Sequence, residues 1–210
     1  MIIKVCGMRD ADNIRAVAKT GVNWMGMIFW PRSSRHVADL SAANAIPCGI
    51  ERVGVFVDQS CEDIINIAEK CRLDVIQLHG KESRESILAL RGRLRKGVRL
   101  MKAISVGATD DIGKASEYDD IVDYLLFDTK CTTVGGSGKQ FDWSVLDEYN
   151  GSTPFLLSGG IGPDDAEAVS LFRHPLMMGI DLNSRFETAP AYKDVEKLST
   201  FINEINKQKS

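Results

Sequence analysis

No apolar run in the chain approaches the roughly 18 residues needed to cross a bilayer. Paired cysteines of the Cys-x-x-Cys type are also missing. The five cysteines, Cys6, Cys48, Cys61, Cys71 and Cys131, are odd in number and irregular in spacing. That argues against a disulfide framework or a structural zinc site and for a reducing cytoplasm. Histidine is scarce: His36, His79 and His174 form no metal-ligand spacing with one another. Neither sign of charge dominates, with 26 basic and 29 acidic residues and a net charge of -3. No basic block speaks for nucleic acid, and no acidic tail for a disordered arm. The densest positive patch, Arg91-Gly92-Arg93-Leu94-Arg95-Lys96, reads as a solvated helix end. Linkers, low-complexity segments and short repeats are lacking. The start, Met1-Ile2-Ile3-Lys4, reads as a strand and lacks the charged and apolar regions of a signal peptide. These absences leave a cytoplasmic globular protein with no membrane or nucleic-acid partner.

What is present is alternation. Apolar runs of about five residues recur, each followed by glycine or polar residues and then a longer amphipathic stretch. The runs are Ile2 to Cys6, Trp24 to Phe29, Arg52 to Val57, Asp74 to Leu78, Arg99 to Ile104, Tyr124 to Asp128, Pro154 to Leu157 and Met178 to Leu182. Several are apolar almost throughout, as strands buried on both faces of a parallel sheet must be. Between them, Ile14, Val17 and Ala18 share one helical face. Ser60 caps a helix with Ile64, Ile65 and Ala68 as its stripe, and Ser83 caps another with Ile87, Leu88 and Leu90. Pro163 opens a helix running to about Leu171. Asp194 to Ile205 carries Val195, Leu198, Phe201, Ile202 and Ile205 in an amphipathic pattern. About eight strand-helix units in 210 residues predict a single (β/α)8 barrel domain over 1–210, near the small end for that fold, with short loops.

A barrel of this kind carries its active site at the carboxyl ends of the strands. The strand-top candidates are Cys6, the segment after Phe29, Asp58, Gln77, His79, Asp128, Ser158-Gly159-Gly160 and Asp181-Leu182-Asn183-Ser184. Cys6 alone reads as a buried core cysteine and Asp128 alone as a cap or ion-pair partner. At two strand tops of one barrel they become a general base and a general acid facing one pocket. Gln77 and His79 add hydrogen-bonding groups, with satisfied structural polar groups as the plainer reading. Ser158-Gly159-Gly160-Ile161-Gly162-Pro163 joins a strand to a helix with three glycines, which lets backbone N–H groups approach an anion. Its position in the seventh unit, with Asn183 and Ser184 in the eighth, favours a phosphate site over plain tight turns. Arg32 and Arg35 after the second strand suit either a carboxylate or phosphate clamp or the ordinary surface. Gly135-Gly136-Ser137-Gly138-Lys139 resembles a nucleotide P-loop but fails its template, because Thr133 and Gln140 stand where Gly and Ser/Thr are required. It reads as a loop over the site, either a lid that touches substrate or a plain flexible connection.

Together these pieces resemble the phosphoribosylanthranilate isomerase family of tryptophan biosynthesis, over essentially the whole chain. The resemblance rests on Lys4-Val5-Cys6-Gly7-Met8, Pro31-Arg32-Ser33-Ser34-Arg35-His36-Val37 and Val53-Gly54-Val55-Phe56-Val57. It continues through Gln77-Leu78-His79-Gly80, Leu126-Phe127-Asp128, the glycine-rich loop running into Phe141-Asp142-Trp143, and Ser158-Gly159-Gly160-Ile161. It implies a (β/α)8 barrel that isomerises N-(5'-phosphoribosyl)anthranilate by an Amadori rearrangement, with no metal or redox cofactor. Cys6 falls on the family's base and Asp128 on its acid. Arg35 matches the arginine at the anthranilate end, and Gln77, His79 and Asp181 match polar residues around the substrate. Gly159 and Gly160 match one half of the phosphate loop, and the backbone after Asp181, with Asn183 and Ser184, supplies the other. One departure stands out: Arg185 replaces a glycine of the family pattern Asp-Val-Ser-Ser-Gly, which puts the path of that loop and its individual phosphate donors in doubt.

The expected partner is a small phosphorylated substrate, and the expected state a monomer or homodimer. The alternatives are the related aminoaldose isomerase of histidine biosynthesis and a non-catalytic phosphosugar-binding barrel. The former usually pairs two aspartates at the tops of strands one and five. Here Cys6 takes the first position, and Ile104-Ser105 offers no acid at the second.

Overall fold

A computed structural model of the chain describes residues 1–129 and 142–208. Eight parallel strands close into a barrel in sequence order: β1 Ile2–Val5, β2 Trp24–Ile28, β3 Glu51–Phe56, β4 Val75–Leu78, β5 Arg99–Val106, β6 Tyr124–Thr129, β7 Phe155–Leu157 and β8 Met177–Leu182. β1 pairs with β8, which closes the ring. The strands lie within two residues of the expected runs. Cys6 stands one residue beyond the end of β1, still tied to the sheet by its N–H donating to Leu182 O at 2.8 Å.

The outer layer is less regular than the alternation predicts. Five α-helices are described: α1 Ala11–Val17, α2 Cys61–Cys71, α3 Arg84–Arg91, α4 Ala166–Leu171 and α5 Val195–Lys207. The connections after β2, β5 and β6 carry 3-10 helices instead, at Leu40–Ala45, Thr109–Tyr118 and Trp143–Glu148. In these segments short polar residues bond to nearby backbone and compete with an α turn: Asp39 accepts from Ser41 N, and Asp142 from Ser144 N. The expected caps hold where the helix is α. Ser60 and Ser83 each accept an N–H from the third residue on, and Asp194, not foreseen as a cap, does the same for α5. Of the three apolar residues noted in α3, Ile87 and Leu90 are buried and Leu88 turns to solvent. Past β8 comes an element the strand count did not foresee, a hairpin of β9 Glu187–Ala189 and β10 Tyr192–Lys193. The glycine-rich segment Gly135–Lys139, read as a loop over the site, lies outside the described residues.

Two hydrophobic layers follow from the period of two along each strand. One set of residues, including Ile3, Val5, Met25, Ile76, Leu125, Phe127 and Ile180, packs under the helices. The other, Trp24, Val53, Val75, Met101, Ala103, Leu126 and Leu156, fills the barrel interior. At the amino-terminal end Arg99 stacks over the rings of Trp24 at 5.4 Å and Tyr124 at 6.0 Å. The bottom of the barrel is thereby plugged by aromatic surface. Continuing the inward phase up the strands leads from Leu126 to Asp128, from Val75 to Gln77 and His79, and from Ile2 to Lys4 and Cys6. The inward residues are apolar below and polar or ionisable above. Leu156 is fully buried in this interior layer. Leu156→Ala is expected to lower stability by about 2–5 kcal/mol through a cavity the closed ring cannot collapse. Urea unfolding checks this, and a loss under about 1 kcal/mol would contradict the packed-interior description.

Candidate active site

Lys4 lies near mid-barrel inside an otherwise apolar strand, with no exposed surface. Its register partner on β8 is Asp181, also buried, and Lys4 Nζ donates to Asp181 Oδ1 at 2.8 Å. Burial alone would lower Lys4, but Asp181 and the neighbouring Cys6 together hold it above the ordinary lysine value. Burial pushes the Asp181 carboxyl up. The Lys4 ammonium opposes that shift, and the Asp128 carboxylate adds to it.

Cys6 sits one inward step above Lys4 and is 3% exposed. Gly26 on β2 makes room for it, since a Cβ there would stand 2.8 Å from Cys6 Sγ. Burial pushes the thiol above its usual range. Lys4 and Lys193 pull it down, Asp181 pushes it up, and the balance remains upward.

Asp128 faces the pocket from β6. Its Oδ1 accepts from the Thr129 N–H at 2.9 Å and from Ser158 Oγ at 3.4 Å. Its Oδ2 lies 3.3 Å from His79 Nε2. On the far side of the ring, Gln77 Nε2 is 2.9 Å from His79 Nδ1. An amide N–H₂ can only donate, so with the amide in this orientation Nδ1 accepts and the ring proton sits on Nε2, aimed at Asp128. Gln77 Oε1 is buried without a hydrogen-bond partner among the described residues.

At the β7 top, Gly159 and Gly160 hold φ of +89° and +72°, the left-handed region that a side chain disfavours. A Cβ on Gly159 would also land 2.2 Å from Thr129 Oγ1. Two strand tops therefore approach each other through glycine. Pro163–Asp165 opens the following helical segment with a 3-10 turn, and Asp165 accepts from the Gly162 N–H at 2.6 Å. Across from it, Ser184–Phe186 forms one 3-10 turn. The Arg185 guanidinium packs beside Gly162, with Nε 3.1 Å from where a Cβ would be. The loop whose path was in doubt thus runs against the β7 loop.

Arg35 arrives from the loop after β2, and the new hairpin meets it. Glu187 takes its Nε at 2.9 Å and its Nη2 at 2.7 Å, a two-point ion pair that holds Glu187 below and Arg35 above their ordinary values despite burial. Lys193 from β10 is buried as well and donates to Glu187 Oε1 at 2.5 Å and Asn183 Oδ1 at 2.8 Å. The Asn183 side-chain oxygen is therefore committed to a lysine, which leaves backbone and amide N–H groups to face an anion. All the predicted site residues, Cys6, Arg35, Gln77, His79, Asp128, Gly159, Gly160, Asp181, Asn183 and Ser184, lie at or beyond the carboxyl half of their strands.

Reading the sequence missed Lys4, Glu187 and Lys193. Lys4 carried a signal, a cation inside a buried run at the same inward phase as Cys6. The two hairpin residues carried none, because the segment around them shows neither a strand nor a helix period. Among the described residues no cluster of three or more His, Cys, Asp or Glu could hold a metal ion.

Lys4→Met would strand the buried Asp181 carboxylate and is expected to lower stability by about 3–5 kcal/mol in urea unfolding. Adding Asp181→Leu to Lys4→Met should restore most of that loss. A single-variant loss below about 1 kcal/mol would show that the pair is not desolvated as described.

The sequence model of the family described as N-(5'phosphoribosyl)anthranilate (PRA) isomerase matches residues 3–204. The N-(5'-phosphoribosyl)anthranilate isomerase of Parabacteroides distasonis is 49% identical over 209 residues, covering 98% of this chain and 93% of that protein. That of Phocaeicola vulgatus is 46% identical over 209 residues, covering 100% and 99%. The crystal structure of phosphoribosyl anthranilate isomerase from Thermus thermophilus matches with a TM-score of 0.84 at 30% identity, over 99% of each chain. A phosphoribosyl anthranilate isomerase in complex with reduced 1-(o-carboxyphenylamino)-1-deoxyribulose 5-phosphate matches with a TM-score of 0.81 at 27% identity, over 99% of this chain and 100% of that one. The inward thiol, the carboxyl group opposite it and the paired loops at β7 and β8 thus stand on a chain that belongs to the N-(5'-phosphoribosyl)anthranilate isomerase family.

Proposed function

We propose that this chain converts N-(5'-phosphoribosyl)anthranilate to 1-(2-carboxyphenylamino)-1-deoxyribulose 5-phosphate in tryptophan biosynthesis, with Cys6 as base and Asp128 as acid. The observation that carries the assignment of roles is the convergence of both groups on one end of the barrel, each backed by a hydrogen-bonded or charged neighbour. Asp128 gives a proton to the ribose ring oxygen as the C1'–O4' bond breaks, and C1' becomes doubly bonded to the anthranilate nitrogen. The Cys6 thiolate then takes the C2' proton. The electron pair moves into the C1'–C2' bond, and the iminium nitrogen receives the displaced π pair. Protonation at C1' and loss of the enol proton give the ketone. The imine is the electron sink, so no metal or redox group is required by the chemistry.

The phosphate lies between the glycines at 159–160 and the turn beginning at Asn183 and Ser184, where backbone N–H groups can meet it. Arg35 spends its Nε–Nη2 edge on Glu187, and the Nη1 edge is the one that meets the anthranilate carboxylate. His79 steadies Asp128, and the unpartnered Gln77 Oε1 is an acceptor for a ribose hydroxyl. Asp181 forms the pocket floor with Lys4. The cysteines Cys6, Cys48, Cys61 and Cys71 are free thiols. No helix among the described residues is long and apolar enough to cross a membrane. We place the enzyme in the cytoplasm on the first of these observations.

The purified chain is expected to abolish the fluorescence of phosphoribosylanthranilate in a continuous assay. Cys6→Ser and Asp128→Asn should each lower kcat by about 10²–10⁴-fold with little change in thermal unfolding. No loss of fluorescence with the wild-type chain would sink the activity, and near-wild-type turnover in either variant would remove that residue from its role.

A further inference from the structure

Lys193 is among the largest fully buried side chains in the molecule, and the reaction as written does not use it. Its position is built rather than incidental. Asn13 on α1 clamps the Lys193 backbone from both sides, with Nδ2 donating to Lys193 O at 2.8 Å and Oδ1 accepting from Lys193 N at 2.8 Å. That clamp aims the side chain inward, at Asn183, Glu187 and the residue after Cys6. Gly7 holds φ +77°, and a Cβ there would stand 2.7 Å from Arg35 Cδ, 2.9 Å from Asn183 Oδ1 and 3.4 Å from Lys193 Nζ. The ammonium and the thiol interact electrostatically.

The charged groups around Cys6 leave room for one anion, on Cys6 or on Asp128. From β1, the β2 loop and β10 come three cations, Lys4, Arg35 and Lys193; from β8 and β9 come two carboxylates, Asp181 and Glu187. Across the pocket stand Asp128 and His79, and Asp128 must carry its proton to act as an acid. Three cations against these two carboxylates call for one further anion, which is either the Asp128 carboxylate or the Cys6 thiolate. We propose that Lys193 is a positioning residue that holds the Cys6 thiolate. This rests on Cys6 being the base. Lys4 is answered by Asp181 below the thiol. Lys193 and Arg35 share Glu187, and of the two cationic groups it is the Lys193 ammonium that stands beside the residue after Cys6. Burial holds Lys193 below the ordinary lysine value, and Glu187 keeps it protonated beside the thiol. Moving a proton from Cys6 to Asp128 leaves the total charge unchanged, and a cation on the Cys6 side favours that distribution.

The test is a titration of the Cys6 thiolate in the free enzyme, read as absorbance near 240 nm against a Cys6→Ser background. Lys193→Met should move the midpoint to higher pH and cut the thiolate fraction at pH 7.5 about tenfold. Its kcat should fall about as much, with KM within about threefold. Lys193→Arg should return both most of the way. Glu187→Gln removes a competing anion and should move the midpoint the other way, to lower pH, which a purely structural role would not do. If Lys193→Met fails to fold, the directions in Lys193→Arg and Glu187→Gln decide the matter. An unshifted midpoint in Lys193→Met, or an upward shift in Glu187→Gln, overturns the proposal. A rise in KM alone would place the spare charge on the substrate carboxylate and also overturns it. The titration needs no turnover, so an inactive wild type that still shows these shifts would fail the isomerase reading and leave this one standing.

Discussion

The barrel closes on an ion pair. Lys4 and Asp181 are register partners on the first and last strands, so the bond between them spans the seam where the ring is completed. A parallel sheet buried on both faces has no room for an unpaired charge, and each residue is tolerable only because the other is there. The pair also sets the floor of the pocket. Cys6 rises directly above it on the same inward phase, and Asp181 feels both Cys6 and Asp128. Structure and chemistry therefore share one interaction. The seam that completes the fold also supplies part of the field around Cys6 and Asp128.

A second network grows over the first. The hairpin after β8 folds back across the top of β1, where Asn13 clamps it, and delivers Glu187 and Lys193 to the rim. Glu187 then holds Arg35, which arrives from the other side of β1. Gly7 is the crossing point, and its lack of a side chain lets three polar groups meet there. The β1 top is thus enclosed by residues from β2, β8 and the hairpin. The acid side is simpler: His79, Ser158 and the Thr129 N–H hold Asp128 in a more open setting. A protected thiol opposite a more exposed carboxyl suits the acid–base roles proposed for them.

Much of this architecture was legible in the residues. Eight apolar runs became eight strands with ends shifted by no more than two residues, because strands buried on both faces must be apolar throughout. Ser60 and Ser83 were readable as caps because their action is local, a side chain meeting an N–H three residues on. The 3-10 helices after β2, β5 and β6 were not readable, since short polar side chains there compete with the α turn. Leu88 points outward although its residue type suits the core. The type of a side chain does not decide which side of a short helix it takes when two apolar neighbours already fill the groove.

For the site, the sequence determined which chemistry was at hand: a thiol, a carboxyl, a histidine and glycine-rich turns, each at a strand top. The two-residue period of a strand then put Cys6 and Lys4, Gln77 and His79, and Asp128 and Leu126 on common inward lines, and this was implicit in the spacing. Which groups neutralise one another was decided only in three dimensions. Lys4 finds Asp181 across 177 positions and Arg35 finds Glu187 across 152, at separations where no local pattern signals contact. Lys193 lies in a segment to which the sequence pattern assigns no element, yet closure of the ring and the fold of the hairpin bury it. Electrostatics depends on distance and solvent exclusion, and a linear sequence specifies neither until the barrel has closed.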